Sequence, residues 1–543
     1  VQELYERLFE DEVPESDDTL ARVVTAAEAD TEAQETLLTL GFVQSPRALE
    51  IVHGWGLAPY RAMRYERARD LLADLVPTIL TALSKTAEPD RALVRFDEFL
   101  RGLPEGVQLF SLLHANAWLL DLLAEIMGSA PRLAVLLGHN AGLLDAVLDT
   151  NFYEPLPSTE ALYEDLERTL QRARDYQDVL DLTRSWTNEH RFQVGVQILR
   201  CTVAPEQAGR SQSDLADVVI RALLPKVEAE FAHLHGRIPE AEIAVLALGK
   251  LGGRELTVTS DLDLIFLYEI GGPEISDGEK PLPAGTYFAR LSQRFINALT
   301  AVTGEGRLYE VDMRLRPSGR GGPIAQTIDG FAKYHGEQAW TWEHMALTRA
   351  RVVAASPVLT KKIDTLIRSV LSVPRDPVKL VTDVAEMREK LRREFGSDDI
   401  WRVKHVRGGL LDVEFIAQYL QLKSAGGNPI VFYQNTCEAL KHLQLGGQLN
   451  NRNAEVLLSG LHLFTAIQSL VRLCTENGFV EDTAPLGLKE ALATAGGAAN
   501  FTDVKQRLRE AESAVYRCFE KLISQPADRY LDSGENEGPE SHG

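Results

Sequence analysis

The sequence predicts a mainly α protein with a central mixed α/β unit and helical bundles on both sides. Three observations carry that prediction. Over residues 1 to about 235, strong helix formers dominate and apolar residues recur three and four positions apart, which lines one helix face. At residue 241 the texture breaks into short apolar runs that end in glycine or charge, the pattern of buried strands. From about residue 358 helical periodicity resumes and continues to residue 523.

The chain has 543 residues, which at roughly 100 to 200 residues per domain predicts three or four domains. The texture places a helical domain at 1–170, the mixed unit at 171–357, a second helical domain at 358–523 and a polar, acidic, disordered tail at 524–543. A formal net charge of -22 argues against nucleic acid or an anionic membrane as partner, since both require a basic face. The cysteines (Cys201, Cys437, Cys474, Cys518) lie far apart with no zinc spacing, and read as reduced thiols of a cytoplasmic protein. No apolar run is read as approaching the roughly 20 residues that span a bilayer. The start carries no signal-peptide pattern, and a first residue of valine reads as part of something longer.

In the N-terminal region, "VQLFSLLHANAWLLDLLAEIMGSAPRLAVLLGHNAGLLDAVL" shows the grammar of short packed helices. One helix stops at Gly128, Pro131 suits the first turn of the next, and Gly138 breaks that one. In the centre, "AEIAVLALG" and "SDLDLIFLYE" read as strands, "TYFARLSQRFINALTAV" as an amphipathic helix, and "GRLYEVDMRLRPSG" as a third strand. "AWTWEHMALTRARVV" is read as a further amphipathic helix, with Trp340 and Trp342 packing.

The second strand holds the first chemical signal. Side chains alternate along a strand, so Asp261 and Asp263 share a face. Two carboxylates crowded inside an apolar strand repel each other, and a cation between them removes the cost. Oxygen donors without cysteine or histidine suit Mg²⁺ rather than zinc. In "LYEVDMRLRP" Tyr309, Val311, Met313 and Leu315 form an apolar face, and Glu310, Asp312, Arg314 and Arg316 a polar one. A strand beside the first would bring Asp312 in as a third carboxylate and offer Arg314 and Arg316 to phosphates. A solvated face with internal Glu–Arg pairing is the competing reading of that strand. Upstream, Gly252–Gly253 is a turn at which backbone N–H groups can approach a triphosphate, although the spacing matches neither a dinucleotide fingerprint nor a P-loop.

A glycine turn, an Asp-x-Asp strand and a later aspartate together resemble the nucleotidyltransferase superfamily of DNA polymerase β type. Four motifs in order, "GKLGGRELTVTSDLDLIFLYE", "YEVDMRLRPSGRGGPIAQ", "EQAWTWEHMALTRARVV" and "RGGLLDVEFIAQYLQL", resemble the glutamine synthetase adenylyltransferase family over about residues 20 to 520. The resemblance implies a nucleotidyltransferase core that moves AMP from ATP to a tyrosine hydroxyl of glutamine synthetase and releases pyrophosphate. It implies two Mg²⁺ ions on Asp261, Asp263 and Asp312, with Gly252 and Gly253 against the phosphates. Ser260 partly replaces the serine many superfamily members carry in the turn, or orients the aspartate pair. Arg314, Arg316 and Lys404 are expected at phosphates, and Asp312 is the candidate base. Family members carry two such units, and this chain's single site and motifs resemble the C-terminal, transferring one, so deadenylylation is expected to be absent from this chain. A PII-type nitrogen signal protein and glutamine are the implied regulators. The site residues alone would serve transfer and phosphorolysis equally, and a non-catalytic regulatory scaffold is the remaining alternative.

Overall fold

The computed structural model describes residues 23, 30–57, 60–86, 88–426, 432–476 and 478–535. The chain divides into two compact units, residues 1–152 with 474–490, and residues 153–473 with 491–543.

The first unit is helical where described, with helices Thr31–Thr39, Ser45–Leu57, Glu66–Ser84, Pro89–Gly102, Val107–Ala115, Ala117–Ser129 and Pro131–His139 among its elements. Pro131 occupies a first helical turn, where its missing N–H costs nothing. The core is largely apolar, and among the described residues it includes the carboxylate of Asp97. This buried carboxylate accepts from Trp55 Nε1 (3.0 Å), the Tyr60 hydroxyl (2.7 Å) and Arg101 Nε (2.8 Å), so its charge is fully answered.

The second unit holds the sheet. Three helices precede it: α1 (Thr159–Leu170), α2 (Tyr176–Leu199) and α3 (Pro205–His235). Next come β1 (Ala241–Ala247), a one-turn helix at Gly249–Gly252, β2 (Leu262–Ile270) and α4 (Ala284–Thr300). They are followed by β3 (Val311–Asp312), β4 (Ala325–Thr327), α5 (Ile328–Glu337), α6 (Thr341–Leu347) and β5 (Arg351–Ala354). The strand order is β3-β2-β1-β5, with β4 also beside β2. β1 and β2 are antiparallel from Ala241↔Ile270 to Ala247↔Leu264, and β3 and β4 run parallel to β2. Leu264 to Tyr268 are buried without a break, so both faces of β2 are covered, as the unalternating "LIFLY" requires. Ile243, Val245 and Ala247 of β1 share one core with Leu264, Phe266 and Tyr268 of β2, and with Val219, Leu223, Phe288, Leu291 and Phe295 from α3 and α4.

A further helical array closes the unit: α7 (Pro357–Leu371), α8 (Pro377–Phe395), α9 (Leu410–Ser424), α10 (Thr436–Leu445), α11 (Asn451–Cys474), α12 (Phe501–Phe519) and α13 (Gln525–Glu535). Its polar anchor is the ion pair of Arg388 with Asp412, both buried; Asp412 also accepts from the Gly408 N–H.

Four expectations are corrected here. The third strand is only two residues long, because Met313 to Arg316 turn away from β2. The stretch "AWTWEHMALTRARVV" is not one helix: α6 ends at Leu347, and the β-branched Val352 and Val353 lie in β5, which pairs with the free side of β1. The expected disordered tail is helical through Glu535, with Ala527 buried, and residues 536–543 lie outside the described residues. Finally, α11 is long and apolar enough, by length and composition, to cross a membrane. Its Leu457, Phe464, Ile467, Leu470 and Leu473 are instead buried in the protein.

Arg184 shows how the helical layer fixes the sheet edge. Its fully buried guanidinium on α2 donates to the carbonyls of Leu180 (2.9 Å), Ala298 (2.8 Å), Ala301 (2.8 Å) and Gly306 (3.0 Å). It thereby caps the C-terminus of α4 and pins the loop that leads into β3. Arg184→Met keeps the stem but leaves these carbonyls unpaired, and is expected to cost about 3 kcal/mol of unfolding free energy. Urea titration of the variant against the parent chain measures it.

Candidate functional site

The site forms where β2 begins. β3 pairs with β2 in the register Leu262↔Val311 and Asp263↔Asp312, so Asp263 and Asp312 are direct neighbours on adjacent strands. Asp261 is exposed, one residue before β2. The Asp263 carbonyl accepts from Leu248 N–H (2.9 Å), which anchors the entry to the glycine turn. Gly249 there has φ +52°, and a Cβ on it would overlap the Asp263 carboxylate. Glycine is required at this position twice over, for backbone sign and for room.

Burial, then crowding, sets the electrostatics. Burial pushes the Asp263 pKa up to about 6, with Asp312 and Asp261 adding to the rise and Lys404 and Arg349 opposing it. Asp312 goes the other way. Burial raises it, but hydrogen bonds from Arg314 Nε (2.7 Å) and Arg314 N–H (2.8 Å) outweigh that and hold it below the ordinary carboxylate value. Among the described residues no group of three or more His, Cys, Asp or Glu side chains is placed to hold a metal ion. Asp312 Oδ2 is paired with Arg314, itself two-thirds exposed. The donor set itself, all carboxylate oxygen with no cysteine or histidine, is of the kind that suits a hard divalent cation.

The other expected residues divide. Ser260 does not reach across the site: its Oγ accepts from Thr257 N–H (3.0 Å) and bonds the Thr257 hydroxyl (2.9 Å), closing the turn that delivers Asp261. Arg316 folds back on its own loop, donating to the carbonyls of Met313 (2.8 Å), Gly322 (3.2 Å) and Arg320 (3.2 Å). Lys404 acts on both Asp263 and Lys250 through its charge. Gly252 and Gly253 are buried, and the space a Cβ would need is taken. At Gly252 the obstacles are the carbonyls of Arg349 and Ala247; at Gly253 it is the Arg349 guanidinium.

Sequence reasoning missed the residues that hold this turn. Arg351 donates to Leu251 O (3.0 Å) and grips Asp217 on α3 with two bonds (2.7 and 2.9 Å). Arg349 pairs with Glu255 and lies 3.5 Å from Glu414. Asn435 donates to Gly253 O (2.9 Å), and Glu255 accepts from Thr436 N–H (2.6 Å). Lys250 directs its amine to Gln468 of α11, and burial together with Arg472 lowers its pKa to about 7. Arg472 donates to the hydroxyls of Thr257 (3.2 Å) and Thr259 (3.1 Å). The available signals were "TRAR", whose alternate arginines share one side of an extended segment, and the charged residues that flank the glycines in "GKLGGRE". In the "AWTWEH" stretch, Glu343 accepts from Trp340 N–H (2.9 Å) and the Tyr334 hydroxyl (2.8 Å), a helix-start role. A cavity of about 700 Å³ lies elsewhere, lined by Arg221, Lys361, Asp364 and Arg368, and contains none of the site residues.

A family model described as glutamate-ammonia ligase adenylyltransferase matches residues 120–365. A second, described as GlnD PII-uridylyltransferase, matches residues 385–523. Curated relatives named bifunctional glutamine synthetase adenylyltransferase/adenylyl-removing enzyme are similar along almost the whole chain. That of Bradyrhizobium sp. (strain BTAi1 / ATCC BAA-1182) is 41% identical over 527 residues, 97% of this chain and 53% of the relative. That of Rhizobium meliloti (strain 1021) is 40% identical, over 96% of this chain and 53% of the relative. That of Rhodopseudomonas palustris (strain TIE-1) is 40% identical, over 92% and 50%. The chain thus spans about half the length of the curated relatives it matches.

The raised pKa of Asp263 makes a stability prediction with a definite sign. Its folded pKa, about 6, lies above the ordinary 3.8. Between those values the folded chain keeps a proton that the unfolded chain releases, so this group's contribution falls as pH rises through the window and is level above it. Asp263→Asn removes the ionisation. Without added metal, the variant is expected to be more stable than the parent at pH 7.5, by about 2 kcal/mol, and to lose most of that advantage near pH 4.5. Urea titration at the two pH values reads it.

Proposed function

We infer that this chain, a member of the glutamine synthetase adenylyltransferase family, transfers AMP from ATP to a tyrosine hydroxyl of glutamine synthetase with release of pyrophosphate. The observation that carries the reading is the register Asp263↔Asp312 beside the turn that begins at Gly249. It brings two carboxylates together at the edge of a backbone turn, the arrangement a phosphoryl-group displacement requires. The family matches and the names of the relatives support the same activity.

In this reading Asp261, Asp263 and Asp312 would hold Mg²⁺, two ions by family resemblance. Bound there, the metal would supply charge neutralisation for the attacking and leaving oxygens. The remaining roles belong to the chain. Asp312 is released when Arg314 turns from its carboxylate, and the freed guanidinium becomes available to a phosphate oxygen. Asp312 is then the candidate to receive the acceptor hydroxyl's proton. Lys404 adds positive charge beside Asp263, from the segment that joins α8 to α9. Arg316 holds the loop that carries Arg314 rather than meeting the nucleotide itself. The transferring direction rests on the motif resemblance, because the carboxylates would serve both directions.

We also propose a PII-type signal protein as partner and glutamine as effector, with the match over 385–523 as support for the first. A cytoplasmic location is consistent with four cysteines in thiol form.

Two outcomes test the reading. Incubation with labelled ATP, Mg²⁺ and glutamine synthetase, with and without a PII-type protein, is expected to label the synthetase. Asp261→Asn combined with Asp263→Asn should lower the rate at least about a thousandfold with the fold intact by circular dichroism. Release of ADP from adenylylated synthetase and phosphate, without labelling in the forward assay, would reverse the direction. The second outcome is pH dependence. Protonation of Asp263 as pH falls through about 6 competes with metal. The Mg²⁺ concentration for half-maximal rate should therefore rise about tenfold between pH 7 and pH 5.

A further inference from the structure

We propose that Arg349 is a positioning residue of the nucleotide site, and that through Glu414 it makes helix α9 a structural partner of the glycine turn. The proposal deepens the function proposed above and rests on it.

Arg349 lies in the short link between α6 and β5, with only 5% of its side chain exposed. Two carboxylates flank its guanidinium. Glu255 comes from the stretch just after the glycine turn, and Glu414 from the first turns of α9. The backbone of the same residue abuts Gly252, and its guanidinium abuts Gly253 closely enough that neither position has room for a Cβ. One side chain therefore touches the turn, the segment that leaves it and the helical array at once. Its charge also acts on Asp263. The geometry gives the glycine pair a purpose beyond phosphate approach: it lets a buried arginine pack directly against the turn.

The neighbouring contacts point the same way. Asn435 and Thr436, at the start of α10, bond Gly253 O and Glu255. Lys250 and Gln468 tie the turn to α11, and Arg472 ties α11 to Thr257 and Thr259 just before Asp261. Every tie joins the stretch Lys250–Thr259 to the segment 414–472. Arg349 is the member with charge on both sides, and removing either carboxylate leaves the other to hold it.

A purely structural ion pair would lower stability and leave the affinity of folded protein for nucleotide unchanged. A positioning role predicts a selective loss on the nucleotide side. Arg349→Lys keeps the charge but cannot span both carboxylates in one plane. Glu414→Gln keeps the shape and the Arg349–Glu255 pair, and is the variant expected to fold where the first does not. With each variant checked by thermal melting, KM for ATP should rise about tenfold in Arg349→Lys and about threefold or more in Glu414→Gln. KM for the protein acceptor should stay within twofold. Calorimetric titration with Mg²⁺–ATP should show the same weakening without turnover. A folded Glu414→Gln or Arg349→Lys variant with unchanged Mg²⁺–ATP affinity overturns the proposal. Failure of the unsubstituted chain to bind Mg²⁺–ATP sinks the proposed function itself, and this inference with it.

Discussion

The strand edge has to accommodate Asp263 and Asp312, two carboxylates set side by side and partly out of water. Two carboxylates at one register of a parallel strand pair, partly removed from water, oppose folding: burial first, and the neighbouring Asp312 second, raise Asp263 to about 6. Several features make the arrangement tolerable. The long buried run of β2 holds the strand in register whatever its first residues prefer. Arg184 fixes the approach to β3 by binding four carbonyls, so that β3 needs only two residues of pairing. Arg314 lies on Asp312, supplying positive charge while remaining two-thirds exposed and therefore able to move. Stability is thus drawn from the apolar sheet and spent at one polar edge, as expected where a site is selected for chemistry.

Segments that look independent in sequence share one site. The core strands fall in the region matched by one family model, and Lys404, Glu414, Gln468 and Arg472 fall in the region matched by another. Contacts from the latter converge on ten residues, Lys250 to Thr259, that link the turn to Asp261. A strand-edge carboxylate is rigid because its strand is. A turn between β1 and β2 has no such support, and here the polar side chains of α9, α10 and α11 provide it.

The legibility of the sequence follows from the same physics. Local patterns were readable: helical periodicity on both sides, the buried strand around "LIFLY", and the aspartates that interrupt it. Asp312 could be found because it sits in a strand-like alternation, although the strand itself stops there. The alternation misled beyond that point, since Arg314 and Arg316 follow a tightening loop and not a sheet face. The helix assigned across "AWTWEHMALTRARVV" failed for a related reason: the pairing that makes Arg351–Ala354 a strand is made with β1, more than a hundred residues earlier. Likewise the composition of the tail from Ser524 predicts disorder, but a buried Ala527 and packing on the helical array keep it helical through Glu535. Long-range partners of single charged residues, such as Arg349 with Glu414, leave no local trace at all.

The glycines show how far a correct motif can carry an incomplete reason. Phosphate approach explains why a turn should lack side chains, but it treats all its glycines alike. The structure separates them. Gly249 is needed because its backbone is left-handed and because the Asp263 carboxylate fills the Cβ position. Gly252 is needed because two backbone carbonyls, of Ala247 and Arg349, stand where its Cβ would be, and backbone cannot move aside. At Gly253 the obstacle is the Arg349 guanidinium, which could shift only by giving up Glu255 or Glu414. The three positions therefore report on three different things: the carboxylate, the sheet and the helical array. The turn is the point at which all three meet, and its glycine content measures how tightly they are brought together.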